Sequence, residues 1–252
     1  MNNRSTFTPT WNQNIVRFNH NSTIPESFRM LIVGPSNCGK TVLLLKMLLT
    51  PGYLDYNNLI IFSKTIDQPE FQLLMHGFNA GLTKEDIIDI FRNQDKIPTN
   101  MTMREICYRV AKQRQRTLGS ITVTMSNKSQ DIIPCDKLNK SKKNLIVFDD
   151  CVNLKNQDIM ESYFTRGRHN KCNCIYLAQN YYDLPGRSIR GNSNFFIFFQ
   201  LNQRNKSNIY TDLFSNLLER SEFDYFDNHL SIKHKYIALN KDTSTIYESI
   251  ID

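Results

Sequence analysis

The sequence predicts an α/β fold: a mainly parallel sheet covered by helices on both faces. Three observations predict it. Short unbroken apolar runs alternate with longer segments of helical periodicity. A glycine-containing run, Gly34-Pro35-Ser36-Asn37-Cys38-Gly39-Lys40-Thr41, joins the first apolar run to a helical pattern. A later apolar run ends in Asp149-Asp150. Strands buried on both faces read as continuous apolar stretches, and parallel neighbours need a crossover that is usually a helix.

The chain has 252 residues, of which 40% are hydrophobic and 22% charged. At roughly 150 residues per domain this fits one large domain. The expected division is an amino-terminal arm over 1–25, rich in Asn, Thr and Ser, and a single domain over 26–252. That domain has a core at 26–200 and a helical and hairpin elaboration at 201–252. No apolar stretch approaches the roughly 18 residues of a membrane span. The first residues lack an apolar signal region, so secretion is not expected.

Along the chain, FRMLIVG reads as a buried strand and GKTVLLLKMLL as a helix. NNLIIFS (57–63) is a second buried strand. TKEDIIDIFRNQ carries a threonine N-cap with acids in its first turn. MTMREICYRVAKQRQR places Met103, Ile106 and Val110 on one face. ITVTM alternates like a strand. NLIVFDD, CNCIYLAQ and NFFIFFQ are three more buried strands, with a helix over NQDIMESYFTRG. Residues 203–228 read as helical, and YIALN with STIYESI as a closing hairpin.

Lys and Arg total 31 against 24 Asp and Glu, a formal charge of +7, which favours polyanionic partners. None of the six cysteines forms a C-x-x-C pair, and the five histidines show no ligand spacing. Cys172 and Cys174 fall on one strand face and read as small buried hydrophobes.

Residues 34–41 match G-x-x-x-x-G-K-[ST] between a strand and a helix. This is the context in which backbone amides and a helix N-terminus can cradle phosphates. Gly34, Pro35, Ser36, Asn37, Cys38, Gly39, Lys40 and Thr41 are the expected nucleotide-binding residues. Lys40 would reach the β- and γ-phosphates, and the Thr41 hydroxyl would ligate Mg²⁺. Asp149 would hold that Mg²⁺ through its water, and Asp150 would orient or deprotonate the attacking water. The expected ligands are therefore ATP and Mg²⁺.

Four blocks in order then carry a resemblance: FRMLIVGPSNCGKTVLL, NLIVFDD, YFTRGRHNKCNCIYLAQNYYDLP and IRGNSNFFIFFQ. Over about residues 26–200 the chain resembles the FtsK–HerA superfamily of P-loop ATPases, above all the poxvirus, virophage and Polinton type of viral DNA-packaging ATPase. The resemblance implies a RecA-like ASCE P-loop NTPase fold. It implies an arginine before the fourth core strand that acts in trans, here Arg168 or Arg166, and a polar sensor ending that strand, here Gln179. Asp150 stands where a glutamate is common.

The resemblance further implies a homo-oligomeric ring, hexameric or pentameric, that moves double-stranded DNA into a capsid. A capsid vertex or portal protein would be its partner, and an infected host cell or the virion its location. Arg109, Lys112 and Arg116, on a helix read from Thr102 to Arg116, or Lys137, Lys140, Lys142 and Lys143, are expected to face DNA. Alternatives are a cellular DNA translocase or helicase, a P-loop small-molecule kinase with residues 104–116 as a phosphate-covering lid, and a nucleotide-dependent assembly factor.

Overall fold

In the computed structural model, residues 15–16, 24–93, 100–117, 119–230 and 232–251 are described. The elements in order are β1 (Ile15–Val16), β2 (Arg29–Val33), α1 (Lys40–Leu49), β3 (Asn58–Ser63), α2 (Pro69–Asn79), α3 (Lys84–Arg92) and α4 (Met103–Gln113). They continue as β4 (Thr122–Ser126), β5 (Asn144–Asp149), α5 (Gln157–Arg166), β6 (Cys172–Ala178), β7 (Phe195–Phe198), α6 (Gln203–Ile209), α7 (Arg220–Leu230), β8 (Ile237–Asn240) and β9 (Thr245–Tyr247).

Among the described residues the strands form one nine-stranded sheet in the order β1-β9-β8-β7-β2-β6-β5-β3-β4. From β7 to β4 all neighbours are parallel. β8 then pairs antiparallel with both β7 and β9, which gives the expected closing hairpin. ITVTM becomes the edge strand β4, parallel to β3. Part of the arm, β1, is the opposite edge.

Alternation within each buried strand feeds two cores. Met30 and Ile32 of β2 join α1, α2, α3 and α4 on one face. Leu31 and Val33 join α5 and the 209–230 helices on the other. Both halves of each strand are thus apolar, as a sheet covered on both sides requires. Cys172 and Cys174 lie in the second core, as expected, and burial pushes the Cys172 thiol up to about 12. All six cysteines are free.

The α3 and α4 amino ends are both closed by capping boxes, Thr83 with Asp86 and Thr102 with Glu105. The C-terminal end of α4 corrects one expectation. The helix stops at Gln113, and Gln115 adopts φ 50°. Arg116 therefore leaves the Arg109–Lys112 face, and it converges with Arg114 on the buried Asp86 carboxylate. Arg114 also reaches Asp89, at 3.1 Å. Burial alone would raise the Asp86 pKa. Hydrogen bonds from Arg116, the Thr83 amide and Arg114 outweigh it and hold the carboxyl well below its usual range. No helix among the described residues is long and apolar enough to cross a membrane.

Candidate nucleotide site

The parallel register brings the functional ends of four strands level. Val33 pairs with Ala178, Leu177 with Asp149, and Asp149 with Ser63. The Gly34 amide donates to Ala178 O and the Asp150 amide to Leu177 O, both at 3.1 Å, so the ladder continues into both loops. Because β6 lies between β2 and β5, the residue that follows β6, Gln179, sits between the phosphate loop and the carboxylate pair.

The loop itself is forced by its glycines. A Cβ on Gly34 would lie 2.6 Å from Phe199 Cβ and 2.7 Å from Cys38 Sγ. Gly39 takes φ 109°, a left-handed conformation that L side chains rarely adopt. With Asn37 also left-handed, at φ 61°, successive amides turn toward one concavity. No side chain caps α1, so its first amides stay free for an anion. Lys40 Nζ donates to the carbonyls of Gly34 (2.7 Å) and Pro35 (2.9 Å) and would exchange those partners for phosphate oxygens.

Asp149 is buried, with 8% of its surface exposed. Burial raises its pKa, and the Asp150 charge adds to this. A hydrogen bond from Ser63 and the charge of Lys40 work in the opposite direction. Ser63 Oγ donates to Asp149 Oδ2 at 2.8 Å and accepts from the Thr65 amide at 3.1 Å. Asp150 occupies the left-handed region at φ 50°, which turns its side chain off the strand line. Gln179 Nε2 donates to Asp150 Oδ2 at 3.4 Å.

Among the described residues no group of three or more His, Cys, Asp or Glu side chains could hold a metal ion. A cation here would share Thr41 and Asp149 with phosphate and water oxygens, which is how Mg²⁺ is usually bound. The hard oxygen donors present fit it.

The structure therefore brings Gly34–Thr41, Asp149, Asp150 and Gln179 together. It does not bring the arginines to them. Arg166 ends α5, and Arg168 lies in the turn Gly167–Asn170 that leads into β6. Both are exposed. The seven residues of β6 separate that turn from Gln179, a span of roughly 20 Å. Arg168 instead lines a cleft of about 640 Å³ at the amino-terminal ends of the strands, with Glu26, Asp55, Lys142, Lys143 and Lys171. Lys143 pairs there with Asp55.

Tyr181 packs edge-on against Phe198, and the Arg190 guanidinium covers both Tyr181 and Tyr182. Ser63 was not anticipated. The only sequence signal for it is a polar residue closing the buried run NLIIFS.

No protein-family model matches the chain, and no curated protein matches it. Solved structures do. The genome packaging NTPase B204 from Sulfolobus turreted icosahedral virus 2, in complex with AMPPCP, aligns over 90% of this chain and 100% of its own. Its identity is 12% and its TM-score 0.54. The DNA-packaging ATPase B204 from Sulfolobus turreted icosahedral virus aligns over 90% and 99%, at 11% identity and TM-score 0.52. VirB4 of Thermoanaerobacter pseudethanolicus aligns over 89% of each chain, at 12% identity and TM-score 0.50. This chain has the RecA-like P-loop NTPase fold. The strand order β7-β2-β6-β5-β3, with a strand inserted between phosphate loop and acidic strand, is its core.

Proposed function

We propose that the chain is an ATPase subunit of a ring-shaped motor that moves double-stranded DNA into a viral capsid, in the infected cell or at the virion. The observation that carries this reading is the alignment of an uncapped phosphate loop, a glutamine and a carboxylate pair, with Asp149 held by Ser63 and Asp150 by Gln179, at one end of the sheet. The likeness in fold to packaging NTPases supports the biological setting.

Lys40 and the loop amides bind the β- and γ-phosphates. Thr41 and Asp149 hold Mg²⁺, which when bound neutralises phosphate charge. Asp150 orients or deprotonates the attacking water, and Gln179 hydrogen-bonds beside it. Arg168, about one strand length away, serves the nucleotide of a neighbouring subunit. An arginine supplied in this way accelerates phosphoryl transfer by about 10³–10⁵. Exposed Arg109, Lys112, Lys137 and Lys140 contact DNA phosphates without sequence preference.

Against the kinase reading, Arg114 and Arg116, which a lid would need free, are tied to Asp86. The test is ATP hydrolysis with and without duplex DNA, with oligomeric mass measured on the same sample. DNA-stimulated turnover in a ring is expected; a monomer indifferent to DNA refutes the motor. Mixing Lys40→Ala with Arg168→Ala subunits is expected to restore hydrolysis that neither shows alone. No recovery at any ratio refutes the trans arginine.

A further inference from the structure

Beside the phosphate loop lies a second cavity that the phosphate chemistry does not use. Its volume is about 170 Å³. It is walled by Pro35–Cys38, Phe199, Gln200, Leu230 and the segment 232–235 that joins α7 to β8. Such a volume is below the roughly 300–1,000 Å³ of a whole-ligand pocket and suits one end of a ligand.

Sheet order fixes which end. Asp149, Asp150 and Gln179 lie on the β6 side of β2, whereas Phe199 and Gln200 follow β7 on the other side. A triphosphate lying on the loop with its terminal phosphate toward the carboxylates directs its nucleoside toward this cavity. The wall chemistry suits a heterocyclic base. Phe199 and Leu230 are buried apolar surfaces. Ile232 leaves 55% of its surface exposed at the rim. The Gln200 carboxamide supplies both a donor and an acceptor.

Residues 232–235 are attached to the loop itself. His234, at φ 68°, places Nδ1 3.1 Å from Cys38 O. The same nitrogen lies 3.1 Å from where a Gly39 Cβ would stand. The strap and the phosphate loop therefore form one wall.

We infer that Phe199, Gln200, Leu230 and the strap 232–235 form the base-and-ribose subsite of the bound nucleoside triphosphate, and that this strap sets nucleotide selectivity. The inference rests on the reading of residues 34–41 as a triphosphate loop.

The test compares Mg²⁺-dependent binding of ATP, GTP, CTP and inorganic tripolyphosphate to the full chain and to Ile232→Ser and Gln200→Ala, both exposed positions. In the unsubstituted chain one nucleotide is expected to bind at least tenfold tighter than tripolyphosphate. Each variant is expected to lose about five- to tenfold of that advantage, with tripolyphosphate affinity within twofold of the parent. Photolabelling with 8-azido-ATP is expected to mark peptides holding 199–200 or 230–235.

Variants that leave the nucleotide-to-tripolyphosphate ratio unchanged, or label placed elsewhere, overturn the subsite alone. Failure of the unsubstituted chain to bind either ATP or tripolyphosphate overturns the phosphate-loop reading with it.

Discussion

Ser63→Ala is the sharpest probe of the carboxylate pair. Ser63 is almost fully buried, at 1% exposure, and its hydroxyl donates to Asp149 Oδ2 at 2.8 Å. It fixes one carboxylate oxygen, so that in the proposed site the other would face the cation's hydration shell. Removing a hydrogen bond to a charged acceptor costs about 1.5–3 kcal/mol, roughly 10–100-fold. Outer-shell partners of metal ligands lose about 10–100-fold in metal affinity or activity when substituted. The two ranges agree.

The expected result is a rise of that order in the Mg²⁺ concentration needed for half-maximal ATP hydrolysis. The pH profile should move as well. Burial already raises the Asp149 pKa and Ser63 lowers it. Without the hydroxyl, the carboxylate protonates at higher pH, so the acid limb of kcat shifts alkaline. Thr65→Val controls for the local turn, because Thr65 touches Ser63 but not the carboxylate. If Ser63→Ala leaves both the Mg²⁺ requirement and the acid limb where they were, Asp149 does not do the work assigned to it.

Other perturbations are simpler to read. Asp86→Asn breaks a buried carboxylate's pairing with two partly exposed arginines, and should cost about 2–3 kcal/mol in urea denaturation, toward the low end for a buried pair because the arginines can rehydrate. Since the folded Asp86 pKa is depressed, its stabilisation is present above the ordinary carboxylate range and lost as pH falls from about 4 downward; the variant's stability should be flatter there. Tyr176 carries a buried hydroxyl with no hydrogen-bond partner among the described residues. Tyr176→Phe should be neutral or up to about 1 kcal/mol more stable, and a clear loss would reveal a hidden partner.

The strands that matter were legible because each is buried on both faces, and continuous apolar runs such as MLIV and LIVF leave little other choice. The phosphate loop was legible because its glycines are required by contact with Phe199 and by a left-handed φ. The end of α4 was not. Arg109, Lys112 and Arg116 have helical spacing, but the buried Asp86, 30 residues earlier than Arg116, captures Arg116 and Arg114 outside the helix. Ser63 was hidden for a similar reason. Its role comes from the lateral register of β3 against β5, which no local pattern encodes. The strap over Cys38 likewise depends on a return from residue 234, far along the chain.

One strand has a proposed functional residue just beyond each end, Arg168 before it and Gln179 after it. β6 runs through the middle of the sheet, and Cys174 to Leu177 have no measurable exposure. Close-packed interiors transmit displacement instead of absorbing it. If Arg168 serves an adjacent protomer, the same rod that feels the local γ-phosphate through Gln179 also aims the guanidinium at the next one. Firing order around such an assembly would then be set by a stiff lever inside each protomer, with no separate messenger loop required.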